Sequence, residues 1–480
     1  MGFGSAPACD DPGVMLAIPG ASQILPAREQ MAFTLGFHII LVPFGVAFTT
    51  LMMMANYRAI RHDDAEALLL AQRWSKVAAV LFAVGAVSGT VLTFEMGLLW
   101  PGLMGRFGAA YGIPFEVEGI FFFLEAIYIA IYIYGWKRLR PWPHFWTGLP
   151  VVLSGIGGTA SVVAANGWMN LPGGITLRNG TVVDVRPLAV FFNRAFWYET
   201  LHMVLAAYLV AGFLTAGVYA AGMLKRRSWD GYQRLGFLIP FTVAAVVIPV
   251  QIFVGDTVAR ANYKNEPAKF ASIEMLTRTG SDVPETLGGY LGSDGKVHAG
   301  IRLPGMASLL AGFSTRTIIR GLDAVPPPVR PQPDLATIVH LSFDVMVAIS
   351  FALLAVAAWF ALGWWRRRSI PTNPWFLRCS AAAGILSVVC LETGWVVTEV
   401  GRQPWTVVGL LLTRDAVTTS GNVWPFFAGT VLVLGSVGVA AIFVLGAMKR
   451  RWQAGLDRGF DVPYGPGQTL EAAVEEAPPR

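Results

Sequence analysis

The segment Gly394–Trp405 reads GWVVTEVGRQPW and closes an otherwise apolar stretch. It sets Glu399 about one helical turn inside a membrane-length run, with Arg402, Gln403 and Trp405 at its mouth. A carboxylate in the hydrocarbon region costs roughly 2.5–3.5 kcal/mol on insertion scales, so it must face protein, a metal or a proton path. Composition places that carboxylate in a membrane. Of 480 residues, 54% are apolar and 14% charged, where soluble domains carry about 25% charged residues. A helix needs roughly 20 apolar residues to cross a bilayer. Nine runs qualify, at about 31–57, 75–94, 115–136, 147–166, 195–224, 235–255, 335–365, 376–400 and 423–448. The expected fold is an all-α integral membrane protein of about nine transmembrane helices.

Basic residues give the orientation. With the N-terminus outside, the inner segments and C-terminal tail hold 20 of the 36 Lys and Arg, and the short outer segments hold 7. The remaining 9 lie in one long segment, and long segments largely escape the positive-inside rule. The reading is N-terminus outside, C-terminus cytoplasmic, with one long external loop. Basic residues at the inner membrane face therefore account for the net charge of +6 without any nucleic-acid partner. The first 30 residues lack the basic start of a secretory leader, so the first span is expected to direct its own insertion. Cys9, Cys379 and Cys390 make no metal-binding spacing, and the latter two read as small core residues.

The chain divides into an external N-terminal arm (1–28), transmembrane helices 1–6 (29–255), an external loop (256–334), helices 7–9 (335–450) and a cytoplasmic tail (451–480). The loop carries Gly288-Gly289 and Pro326-Pro327-Pro328 as breakers. A loop of this length is more often functional than idle. The tail, ending in Glu and Pro, reads as disordered.

Six histidines are available. His62 and His144 fall at inner loops and His298 in the external loop, where a solvated surface role is expected. His38, His202 and His340 fall in spans. His202, near the outer end of span 5, and Met346, inside span 7, reach a similar depth. A His and a Met from facing helices suit a six-coordinate low-spin haem, although Met346 also reads as a packing residue. His38 and Glu399 share a depth too. Each offers a single ligand to an iron that keeps an open position, or the two form a buried polar pair, with His340 as a further partner.

Glu118 and Glu125, seven residues apart on span 3, fall on nearly one helix face, about 10 Å apart along the axis. Two carboxylates at staggered depth suit proton relay; the alternative is structural pairing with a cation. Glu95, at the boundary of span 2, is a lesser candidate. Lys269 and Glu274, in AKFASIEML, read as a solvated helix pair. Were the stretch a quinol site, Glu274 could accept a proton from a hydroxyl while Lys269 hydrogen-bonds the other oxygen.

Taken in order, the His38 segment FHIILVP, the EG-x5-E pair of Glu118 and Glu125, the ANGWM turn at 165–169, His202, the GD…K-x4-E loop, Met346 and GW-x3-E-x-GRQPW resemble subunit I of the cytochrome bd-type ubiquinol oxidases over almost the whole chain. That resemblance implies a quinol:oxygen oxidoreductase of the bacterial cytoplasmic (inner) membrane, electrogenic without proton pumping. His202 and Met346 would ligate low-spin haem b. His38 and Glu399 would serve high-spin haem b and haem d, or a third haem b in its place. Glu118 and Glu125 would lie on the proton path, Lys269 and Glu274 would contact quinol, and Trp395 would pack between haems. Glu399 and Arg402 join the catalytic set. A multi-span subunit II and a small single-helix accessory chain are the implied partners. Two departures stand out. Asp344 replaces an Arg that some members carry two residues before the Met ligand. The loop, of 79 residues, resembles the short kind found in the cyanide-insensitive subgroup.

A proton-coupled secondary transporter, using Glu118, Glu125 and Glu399, is the alternative. It lacks clear inverted repeats or broken spans. A scaffold subunit would have lost its ligands. A haem–copper oxidase needs more intramembrane histidines, and a bis-His cytochrome b needs them paired.

Overall fold

The computed structural model describes residues 23–226 and 229–455. The expectations for residues 1–22, the tail from 456, Cys9, Arg227, Arg458 and Arg480 lie outside them. Among the described residues, nine helices are long and apolar enough to span a membrane. They are α1 (Ile24–His62), α2 (Ala65–Leu99), α3 (Pro101–Gly135), α4 (Pro141–Asn170), α5 (Phe196–Arg226), α6 (Gly231–Asn265), α7 (Pro333–Arg367), α8 (Pro374–Val400) and α9 (Val423–Gln453).

Their ends follow local chemistry. Asp64 caps α2 by accepting from Ala67 N at 3.0 Å, and Arg58 pairs with it at 2.8 Å. The α6 cap is Asp230, which accepts from Gln233 N at 2.7 Å. Pro opens α3, α4, α7 and α8, where its missing N–H is not needed. Several helices run past their apolar windows. At 35 residues, α2 and α3 each extend about 52 Å, against a hydrocarbon core of about 30 Å. Only Trp100 separates them, so Glu95 lies inside a helix rather than at a loop boundary. Its Oε1 accepts from Gln30 Nε2 at 2.7 Å and Thr34 Oγ1 at 3.0 Å, tying α2 to α1. Likewise α1 begins at Ile24, so Arg28 belongs to a helix and not to an arm.

Two other expectations are corrected. Residues 165–169 form no turn: they complete α4, which continues to Asn170. His144 is not a surface residue. It is 2% exposed, stacked between Tyr132 and Trp136, with Nε2 2.7 Å from the Tyr132 carbonyl oxygen. The segment after α6 folds into a small unit of its own. A short helix (Pro267–Ile273), two small antiparallel ladders and a second short helix (Met306–Gly312) enclose Phe270, Met275, Leu276, Ile319 and Leu322. His340 of α7 fastens this unit to the bundle. Its Nδ1 lies 2.7 Å from the Ile273 carbonyl and its Nε2 3.1 Å from that of Gly288.

At the far end of the bundle the core is aromatic. Phe213, Phe237, Phe241, Phe360 and Phe376 interlock there, with Phe237 and Phe241 stacked at 4.9 Å. In α1, residues Phe44–Phe48 form a widened π-turn, a device found often at functional sites. The backbone there meets α4 so closely that a Cβ on Gly155 would stand 2.9 Å from the Gly45 carbonyl oxygen. We expect Gly155→Val to force α4 off α1 and cost about 1–3 kcal/mol. Thermal unfolding of the detergent-purified protein should show a lowered midpoint; an unchanged midpoint would mean the contact relaxes freely.

Candidate functional site

Two cavities open inside the bundle, near the end where α8 finishes. The first, about 490 Å³, is lined by His38, Glu118, Glu125, Trp395, Glu399 and Arg402. The second, about 500 Å³, is lined by His202, Met346, Lys269, Glu274 and Trp395, with Gln251 and Glu285. Both sizes suit cofactor pockets. Every site residue read from the sequence thus faces one of two spaces, and Trp395 faces both. By contrast, Glu95 is fully buried and is not part of either lining.

In the first cavity, His38 Nδ1 lies 2.9 Å from Ser88 Oγ. The π-turn brings Gly45 against Glu125, whose Oε1 has no hydrogen-bond partner among the described residues. Glu399 accepts from Arg402 Nη2 at 2.5 Å and from Asn166 Nδ2. Arg402 is 6% exposed, yet its Nε and Nη1 are unpartnered. Buried guanidinium donors without acceptors are costly, so they mark a place for an anionic group.

In the second cavity, Gln251 Nε2 lies 3.3 Å from His202 Nδ1, and its Oε1 is unpartnered. Lys269 and Glu274 do not form the solvated pair that their spacing suggests. They are 4% and 6% exposed. Lys269 instead pairs with Glu266 at 2.5 Å, one turn away. Glu274, at the end of the short helix, has its carboxyl beside that of Glu285. Burial first, then Glu285 and Asp344, push the Glu274 carboxyl well above the usual range. Burial and Asp344 raise Glu285 as well, its hydrogen bond with Glu274 opposing them. Asp344 itself accepts from Gly288 N at 2.6 Å.

A glycine packs against each of three candidate ligands. A Cβ on Gly89 would meet His38 Cε1 at 3.1 Å, one on Gly255 would meet His202 Cε1 at 3.3 Å, and one on Gly394 would meet Met346 Sδ at 3.2 Å. Glycine at all three positions leaves the ligand side chains room to turn towards the cavity. Among the described residues no cluster of three or more His, Cys, Asp or Glu could hold a bare metal ion. One or two protein ligands per site suit an iron whose four equatorial positions a porphyrin fills.

The family model for cytochrome bd terminal oxidase subunit I matches residues 26–452. The chain belongs to this family. It is 30% identical over 427 residues to the putative cytochrome bd menaquinol oxidase subunit I of Bacillus subtilis, covering 87% of this chain and 95% of that protein. Subunit 1 of the Escherichia coli cytochrome bd-II ubiquinol oxidase is 23% identical over 463 residues, 81% of this chain and 88% of that one. The bd oxidase from Geobacillus thermodenitrificans superimposes with a TM-score of 0.84 at 31% identity, covering 90% of this chain and 99% of that chain. As a bd oxidase subunit I, the chain is a haem-binding, multi-pass membrane oxidoreductase with a terminal quinol oxidase role, and it works with a subunit II.

Sequence reasoning missed Asn166, Glu199, Gln251, Glu266 and Glu285. Glu285 carries no spacing signal, because its partner lies across a loop. Gln251 was legible as a polar residue in an apolar span, one turn before Gly255. We expect Gly255→Val to lower the haem content of the purified protein by about one equivalent, the added methyls pressing His202. A pyridine haemochrome assay measures this; full haem content would show that the His202 ring has other room.

Proposed function

We propose that this bd oxidase subunit oxidises quinol beside the second cavity, at the outer end of the bundle, and reduces oxygen to water at the first. The observation that carries this reading is the pair of ligand-lined cavities sharing Trp395 as their common wall. Bound there, haems would supply the electron transfer from quinol to oxygen and the oxygen-binding iron. His202 and Met346 suit low-spin haem b, since Met ligation raises the potential. His38 and Glu399 suit high-spin haem b and haem d, or a third haem b. The Arg402 donors would hold an anionic edge of such a group.

Glu118 and Glu125, both lining the first cavity, would hand protons along α3 to it. The basic residues argue for an N-terminus outside the cytoplasmic membrane, and in the oxidase reading the protons would come from the cytoplasm. Electrons from outside and protons from inside would separate charge without pumping. Lys269 and Glu274 would contact quinol. Glu274 takes a hydroxyl proton; Lys269, held by Glu266, orients the ring. Subunit II and a small single-helix chain would complete the complex, without nucleic acid.

A dithionite-reduced minus oxidised spectrum of the purified complex tests the reading directly. We expect haem b bands, with a red-shifted chlorin band if haem d is present. No haem would bring a proton-coupled transporter forward instead. His202→Ala or Met346→Leu should remove the low-spin signal and spare part of the high-spin signal. Survival of low-spin haem in both would overturn the ligand assignment. Glu274→Gln should depress quinol oxidation more than oxygen reduction by an artificial donor, and equal loss would count against a quinol contact.

A further inference from the structure

We propose that Glu285 is a positioning residue for quinol oxidation: it shares a proton with Glu274, so that the two carboxyl groups accept and release quinol protons as one unit. This rests on the quinol reading of the second cavity.

The geometry carries the argument. Glu274 ends the short helix Pro267–Ile273, and Glu285 opens the strand Glu285–Leu287. They meet across ten intervening residues and both line the cavity with His202 and Met346. Two carboxyl groups can hydrogen-bond each other only when one keeps its proton, and like charges at such a distance cannot both ionise. Of the cationic side chains near the pair among the described residues, His340 opposes the rise of Glu285, and two others are committed elsewhere. Lys269 is committed to Glu266 at 2.5 Å, and Arg260 to Asp256 at 2.8 Å. Asp344 adds negative charge. His340 faces the Ile273 and Gly288 carbonyls, with Nε2 3.4 Å from Asp344. Glu199 lines the same cavity farther along α5.

One acceptor is left open. Glu285 Oε2 has no hydrogen-bond partner among the described residues. On the same wall, the Gln251 amide oxygen is also unpartnered, at 7% exposure. Acceptors aimed into a cavity fit a ligand that brings hydroxyl hydrogens. A hydroquinone has two.

The chemistry balances one hydroxyl at a time. The quinol O–H bond breaks, its proton goes to the ionised member of the pair, and one electron leaves to a b-type haem, the acceptor class that the oxidase reading supplies. The pair, now doubly protonated, returns one proton to the outer solvent through Glu285. Its strand reaches the surface at Leu287, which is 43% exposed. The second hydroxyl then repeats the step, giving quinone, two protons and two electrons.

The sign of the pH dependence follows. Quinol oxidation needs an ionised carboxylate, so activity is present above the apparent pKa of the pair and lost as pH falls through it. Removing Glu285 removes a like charge beside Glu274, so the Glu274 pKa falls.

The test uses the whole complex with decylubiquinol as probe. In Glu285→Gln, the acid limb of kcat/KM should move down by about one pH unit. Turnover should fall about tenfold, less than the 10²–10⁴ of a primary general base. Without quinol, the infrared C=O band of a buried protonated carboxyl should disappear at neutral pH in Glu285→Gln and persist in Glu285→Asp. Glu285→Ser replaces the Gln variant if that protein fails to assemble with haem. An unmoved limb and a retained band in Glu285→Gln, with Glu274→Gln still impaired in quinol oxidation, would overturn the inference and leave the quinol site standing. Unimpaired quinol oxidation in Glu274→Gln would instead overturn the quinol site, and this inference with it.

Discussion

The architecture depends on one carboxylate that hydrocarbon would not tolerate alone. Glu399 ends α8 inside the bundle, where Arg402 and Asn166 hold it. The same corner ties further elements. Thr398 donates to Asn166 at 3.2 Å, Gln403 accepts from Thr413 at 2.9 Å, and Arg28 of α1 also donates to Gln403. Removing one partner of such a pair costs about 3–5 kcal/mol, because the other charge is left buried. Three helices and the GRQPW turn are therefore fixed relative to each other by a polar contact rather than by apolar packing. The two spare Arg402 donors make the corner more than a clamp, since only an anion or its equivalent completes it.

Polar chemistry and apolar packing are sorted to opposite ends. Where α8 finishes, the helices splay around two cavities and carry ionisable groups. Where it begins, five phenylalanines fill the space. A rigid aromatic end holds α5, α6, α7 and α8 in register, so His202 and Met346 can face one cavity without touching each other's backbone. The glycines opposite the ligands serve the same design. Each lacks the side-chain atom that would stand within about 3.3 Å of the ligand side chain.

Hydropathy made the nine spans legible, because each buries or exposes an apolar surface long enough to be counted residue by residue. The helix ends were less legible. Nothing in the apolar window says that α2 and α3 continue past it; only the Pro101-Gly102 pair beside Trp100 announces where the chain reverses. The 165–169 stretch misled in the opposite sense. Its Asn and Gly suggest a break, yet Asn166 faces Glu399, and a Cβ on Gly167 would stand 2.9 Å from Asn193 Oδ1. The site ligands were legible because ionisable residues in apolar spans are rare and conspicuous. Their partners were not. Lys269 with Glu266 and Glu274 with Glu285 are chosen by how one loop folds, and a spacing of five residues named the wrong couple.

Asp344 shows how a departure at one position is absorbed. A carboxylate there would be a buried liability beside two others, unless the loop supplied donors. It does so through the Gly288 N–H, while His340 one turn earlier takes the adjoining carbonyl. The positive φ of Gly288, 64°, lets that residue present its N–H and its C=O to α7 at once. The loop is thus pinned over the second cavity by the same helix that carries Met346. Whatever binds under the loop meets the Glu274 and Glu285 carboxyls, with Asp344 near them. Negative charge held that close to a proton-releasing substrate resists ionisation at rest and favours uptake of the protons that the reaction sheds.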